Sequence, residues 1–241
     1  MTALPRSARF TCWFTAWVQG RCSLDDARDG VVGTDAAHDV LGLAEEPVPL
    51  VLALGLLPGR GADLATLALP VPGDPVGLGG PPDFNAAALE AGQAVLLPGS
   101  GLGLVPRVVG AGVTWQAMPA TESRTVPDLA EAELALREAV LESSARLVDL
   151  DVARWRPEAA EALQTLREVR GAPLAPGQPP RAQRLAALAL RCEAIAHLAL
   201  DDAGGSVSAY ETSERRSALQ LLSRSARHAL VAACSATDDA P

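Results

Sequence analysis

Glu193, His197 and Asp201 stand four residues apart. On a helix this spacing brings one imidazole and two carboxylates to the same face, a set that can hold a divalent metal ion. The competing reading is a solvated face with His197 held between two acids. Di-metal bundles carry Glu-x-x-His on two helices, whereas here the spacing is one residue longer and has no second copy. Asp35, His38 and Asp39 form a similar cluster on an expected short helix, and His228 stands among arginines and suggests no base. Three histidines without a recognisable motif single out no nucleophile, base or orienting group, so the catalytic residues are unknown and enzymatic activity is left open.

The glycine-rich stretches offer the other chemistry. Residues 69–85, "LPVPGDPVGLGGPPDFN", pack five prolines and four glycines between two apolar segments. A Walker loop needs a lysine to reach the outer phosphates, and all 20 basic residues of this chain are arginine. The dinucleotide fingerprint fails as well, because "GLGGPP" (77–82) has Pro82 where the third glycine belongs. Asp83 is placed to cap a helix beginning near Phe84, so the loop reads as a turn and cap rather than a ligand cradle. "PGSGLG" around Ser100 is no nucleophile elbow, since Pro98 and Leu102 replace both glycines of that motif. No cofactor is expected.

Phe10, Trp13, Phe14 and Trp17 fall at i, i+3, i+4 and i+7, half of the eight aromatic residues. A helix would set them on one stripe, either as an interaction surface or as an anchor in the core. The flanks lack the basic polar face of an interfacial helix, which favours the anchor. A strand stays open here, because Phe10, Cys12, Phe14 and Val18 alternate with Thr11 and Thr15.

These residues need elements to position them. Ser23 with Asp26 reads as the start of a helix running to about Val32, and Thr34 caps a second short one through Leu41. "PLVLALGLL" and "LATLALPV" read as strands joined by a hairpin-type "PGRGAD", with Pro70 and Pro72 placing the second at a sheet edge. "NAAALEA" is a short helix, and "AVLL", "LGLVPRVV" and "VTWQA" are further strands. "PATESRTVP" (119–127) is a linker, beyond which all is helical. Helices are expected over Asp128 to Arg154, Glu158 to Arg170, from Pro180 to Gly204, and from the capping box Ser208-x-x-Glu211 onward, each with an apolar seam. The expected fold is α+β. A small, mostly antiparallel sheet with short helices occupies 1–120, and an antiparallel four-helix bundle occupies 126–236.

Bulk properties limit the partners. The 241-residue chain is 49% apolar with a net charge of −9, a balance opposed to phosphate-backbone binding, so no nucleic acid is expected. Arg215, Arg216, Arg224 and Arg227 on the last helix read as a solvated or salt-bridged face, with docking of an acidic partner as the alternative. The four cysteines lack CxxC pairing, no leader is apparent, and the most apolar run, Val48 to Leu57, is too short for a bilayer. Reduced thiols in a cytoplasmic protein, off the membrane, are the expectation.

"LPVPGDPVGLGGP", "FNAAALEAGQAVLL", "GLGLVP", "DLDVARWRPE" and "RAQRLAALALR" together resemble a pattern in an uncharacterised family of proteins from high-GC actinobacteria, over most of the chain. The resemblance implies a bacterial cytoplasmic protein and brings no activity. The expected function is that of a non-catalytic protein-interaction or scaffold-type protein, whose helical half packs on a partner or on its own copy as a homodimer. The alternative is a small-molecule binder or enzyme with a site between the halves, bordered by the glycine-rich loops of residues 73–80 and 99–103.

Overall fold

The computed structural model describes residues 4–123, 126–149, 174–201 and 209–236. They form two compact units. One comprises 4–123 and 126 with 174–180 and 234–236; the other comprises 127–149, 181–201 and 209–233.

The first unit contains α1 (Arg6–Val18), α2 (Leu24–Val32), β1 (His38–Leu41), β2 (Val48–Pro49), α3 (Leu50–Leu56), a 3-10 turn (Pro58–Arg60), β3 (Thr66–Ala68), α4 (Pro82–Ala91), β4 (Ala94–Leu97), β5 (Leu102–Val109) and β6 (Gly112–Pro119). The strands make one mixed sheet in the order β2-β1-β6-β5-β4-β3. Its pairings are antiparallel except β1 with β6, which is parallel in the register His38↔Val113 to Leu41↔Gln116. Four of the five pairings are antiparallel as expected, and the sheet is mixed because β1, the first strand in the chain, lies parallel beside β6, the last.

Both faces of the sheet are covered. Val95 and Leu97 of β4 enter a core with Phe10, Phe14, Leu54 and Trp115, whereas Ala94 and Leu96 enter a second core with Phe84 and Ala88. The period of two is present in this four-residue strand, but hydrophobicity is continuous because neither face meets water. Gly103 of β5 carries the ring of Phe84: a Cβ there would lie 2.4 Å from Phe84 Cε2. The β5 strand therefore accepts the α4 helix only with glycine at this position.

The helical alternative holds for residues 10–17, which lie in α1. Ser23 closes α2 with a full capping box, accepting from the Asp26 amide and supplying a local start signal. Three expectations are corrected. Residues 38–41 are strand rather than helix, since His38 and Val40 alternate inward with Asp39 and Leu41. Leu50–Leu56 is a helix rather than a strand: Pro49 sits at its N-cap and Leu50, Ala53 and Leu54 share its buried face. Asp83 does not cap α4. Pro81 holds the N-cap position without a side-chain bond, and Asn85 Oδ1 instead accepts from the Gly80 amide at 3.1 Å.

In the second unit the described residues form α5 (Leu129–Asp149), α6 (Pro180–Asp201) and α7 (Ala209–Ser235). Asp128 caps α5, its Oδ1 accepting from the Ala130 and Glu131 amides at 2.7 and 3.1 Å. Arg215 on α7 donates to the Ala199 carbonyl on α6, and Ser223 bonds Glu193. Partner numbers that fall as the others rise make α6 and α7 antiparallel. Alanines 182, 186, 189, 196, 218, 226 and 229 are buried, and such small side chains let helix axes approach closely. The helix expected over Glu158 to Arg170 and the cap at Ser208 lie outside the described residues. No helix among the described residues is long and apolar enough to cross a membrane.

Candidate functional site

The Asp35 and His38 pair holds the geometry closest to catalysis, and that geometry is locked. Asp35 follows α2, and β1 begins at His38, bringing Asp35 Oδ2 within 3.1 Å of His38 Nε2. On the other edge of the ring, the indole N–H of Trp115 on β6 donates to His38 Nδ1 at 3.2 Å. An Nδ1 that accepts carries no proton, so the imidazole is the neutral Nε2–H tautomer donating to Asp35. Both nitrogens are spent, and the side chain is fully buried. Burial lowers the proton affinity of His38, against the pull of Asp35. The carboxylate is gripped further by Arg6 at 2.6 and 3.0 Å and Arg9 at 2.6 Å, both from α1. Arg6 first, then His38 and Arg9, hold the Asp35 carboxyl well below the usual carboxylate range although its partial burial opposes them. Asp39 points away, exposed. The cluster ties α1, β1 and β6 together and presents no free base.

On α6, Glu193 Oε1 lies 3.1 Å from His197 Nε2 and accepts from Ser223 Oγ at 3.1 Å. Ser223 in turn receives Arg227 Nη1 at 3.0 Å. Four residues' spacing thus pairs Glu193 with His197, two-thirds exposed. Asp201 ends the helix, and its side chain is outside those described.

The aromatic stripe of α1 faces inward. Phe10 and Phe14 are completely buried, with ring centroids 5.7 Å apart, and Phe10 meets Trp115 at 5.1 Å. Trp13 and Trp17 are partly buried against the same core, and Gly30 of α2 lies directly under the Trp13 indole.

A different apolar row faces water. Leu134, Leu141 and Val148 of α5 are 59, 73 and 76% exposed. Seven residues make two helical turns to within about 20°, so the three form one seam along the helix. Ala132, Leu136, Ala139 and Ser143 point the other way and are buried, with Ser143 Oγ donating to the Ala218 carbonyl at 2.9 Å. The seam is flanked by the exposed Ala135, Ala145 and Glu138 and by ion pairs Arg137–Glu133 and Arg146–Glu142, at 2.5 and 2.6 Å. The seven-residue repeat of large aliphatic side chains at 134, 141 and 148 is the sequence signal for this outer face.

Residues 7–130 match the family described as Rv1486c-like protein, N-terminal domain, and residues 130–231 match its C-terminal domain. A Mycobacterium tuberculosis protein described as uncharacterized protein Rv1486c is 28% identical over 235 residues, covering 78% of this chain and 81% of that protein. Uncharacterized protein MT1533, from another strain of the same organism, is 32% identical over 123 residues, 42% of this chain and 43% of that one. No solved structure matches the chain.

Proposed function

The chain belongs to the Rv1486c-like protein family, and on that premise we propose that it is a non-catalytic cytoplasmic interaction protein that pairs with its own copy through the outer face of α5. The exposed row Leu134, Leu141 and Val148 supports this. Single surface leucines are ordinary, but three in register make a continuous strip. Full withdrawal of each side chain from water is worth about 1.5–3 kcal/mol. Equal spacing on either side of Leu141 makes the strip self-complementary: under a two-fold axis through Leu141, Leu134 of one copy faces Val148 of the other.

The same proposal takes residues 126–236 as an antiparallel four-helix bundle and residues 1–120 as an α+β domain. In this reading α5, α6 and α7 are three of its helices, and Ser143 on the inner face of α5 bonds the Ala218 carbonyl of α7. Sedimentation equilibrium over a range of concentrations tests the pairing. Dimers are expected for the parent chain and monomers for the double variant Leu134→Glu, Leu141→Glu. Both positions are exposed, so the variant keeps its folding cooperativity.

A further inference from the structure

Cys12 and Cys234 meet inside the first unit although 222 positions separate them in the chain. Cys12 lies in the middle of α1, and Cys234 is the last residue but one of α7. Both thiols are free, in residues only 1 and 2% exposed. The Cys12 S–H donates to the Cys234 carbonyl at 4.0 Å, and its sulfur accepts from the Cys234 thiol. A further bond ties down the same end of α7, the Leu67 amide of β3 donating to Ser235 Oγ at 3.0 Å. The other two cysteines lie elsewhere, Cys22 between α1 and α2 and Cys192 on α6 in the second unit.

Thiols held in this way are shielded from most reagents and suited to one reaction. The neighbouring sulfur and burial keep the Cys234 proton in place, so thiolate is scarce and reaction is slow. Bulky reagents are kept out. Hydrogen peroxide is close to water in size, and a helix end opens more readily than a helix middle. One thiolate attacks a peroxide oxygen and becomes a sulfenic acid, while hydroxide leaves and is protonated to water. The second thiol then displaces the sulfenic oxygen, which departs as another water, and the S–S bond forms. The sulfurs lose two electrons and the peroxide gains them, so two thiols and one peroxide give one disulfide and two waters. Because the partner thiol is already in hydrogen-bond contact, this condensation outruns further oxidation to the sulfinic acid.

We propose that Cys12 and Cys234 form a reversible, peroxide-sensitive dithiol–disulfide pair that staples the end of α7 to α1. Closing so long a loop restricts the unfolded chain strongly, so the linked form is the more resistant to denaturant. In the test, the full chain carrying Cys22→Ser is treated with hydrogen peroxide under native conditions, alkylated in denaturant and mapped by mass spectrometry. A single intramolecular link between residues 12 and 234 is expected, with the loss of two hydrogens, Cys192 still alkylated and full recovery in dithiothreitol. The urea midpoint should be higher for the linked form than for the reduced one. Adding Cys12→Ala should abolish the link, and glutathione disulfide should form it far more slowly than peroxide does. Persistence of both thiols under peroxide that oxidises Cys22 of the parent chain overturns the proposal. So does sulfinic acid at either position in place of the link, a link to Cys192, equal rates with the two oxidants, or a lowered urea midpoint.

Discussion

The indole N–H of Trp115 ends on Nδ1 of His38, 3.2 Å away and out of contact with water. That one bond fixes the imidazole tautomer, directs its proton to Asp35 and so links the sheet to the two arginines of α1. It also makes His38 a structural residue in a setting where an Asp–His pair alone would look like half of a catalytic relay.

Acidification should destabilise the protein in two stages. His38 is buried neutral with its proton affinity lowered, whereas an unfolded histidine titrates near about 6.5. The unfolded chain therefore takes up this proton first, and stability is complete above about pH 6.5 and declines below it. Asp35, held low chiefly by Arg6, adds a second decline below about pH 4, the unfolded aspartate value. Denaturant midpoints measured across this range check the sign. A midpoint that rises on acidification from neutral pH would contradict it, and His38→Asn is expected to lose the upper stage only.

Removing Asp35 should cost more than removing the indole donor. Asp35→Ala leaves Arg6 and Arg9 facing each other and strips His38 Nε2 of its acceptor, a loss of about 3 kcal/mol for a broken, largely buried ion pair. Trp115→Phe leaves a buried Nδ1 without a donor, about 1–3 kcal/mol, and loses some packing against Phe10. Chemical denaturation of both variants gives the ranking directly.

Two helical glycines should respond in opposite directions to alanine. At Gly30 a Cβ would lie 2.1 Å from the Trp13 indole, so Gly30→Ala overpacks α2 on α1 and is expected to destabilise by about 1–3 kcal/mol. At Gly55 of α3 no atom lies within 4 Å of the new Cβ, and Gly55→Ala is expected to stabilise by about 0.5–1 kcal/mol through helix propensity. Thermal melts of the pair separate packing from propensity.

The thiols should divide by burial. Cys12, Cys192 and Cys234 are buried; burial raises the Cys192 thiol to about 11, and Cys234 is raised well above the ordinary value by Cys12 beside it and by burial. Cys22 is half-buried. Titration of the native protein with a thiol reagent should modify Cys22 first, and the other three only on unfolding. Early modification of Cys12 or Cys234 would show that their packing opens.

Local signals in the sequence located what local chemistry decides. The 3-4-3 spacing of Phe10, Trp13, Phe14 and Trp17 and the Ser23 capping box mark α1 and α2, and β4, β5 and β6 lie where their apolar runs fall. What distant residues decide was hidden. Asp35 is held by arginines 26 and 29 positions away, so the segment around it resembles a capped helix until α1 packs beside it. The run from Leu50 to Leu57 is too uniformly apolar to show a period, and its helical state depends on burying Leu50, Ala53 and Leu54 while Leu52 and Leu56 stay in water. A groove beside Gly79, Gly99 and Gly101 is assembled from segments far apart in the chain, and only its glycines stood out in the sequence. The family match, in turn, joins the two halves in one lineage without naming a reaction.

Pairing of α5 with its own copy is tested most directly by a cross-link at the centre of the exposed row. In a Cys22→Ser background, Leu141→Cys places a thiol on the proposed two-fold axis, where it meets its own counterpart. Val108→Cys places one on the equally accessible β5–β6 hairpin, Val108 being 61% exposed. Rapid disulfide dimerisation at 141 but not at 108, suppressed by adding Leu134→Glu, is the predicted result. Equal, slow cross-linking at both positions, with a monomer at all concentrations, would contradict it.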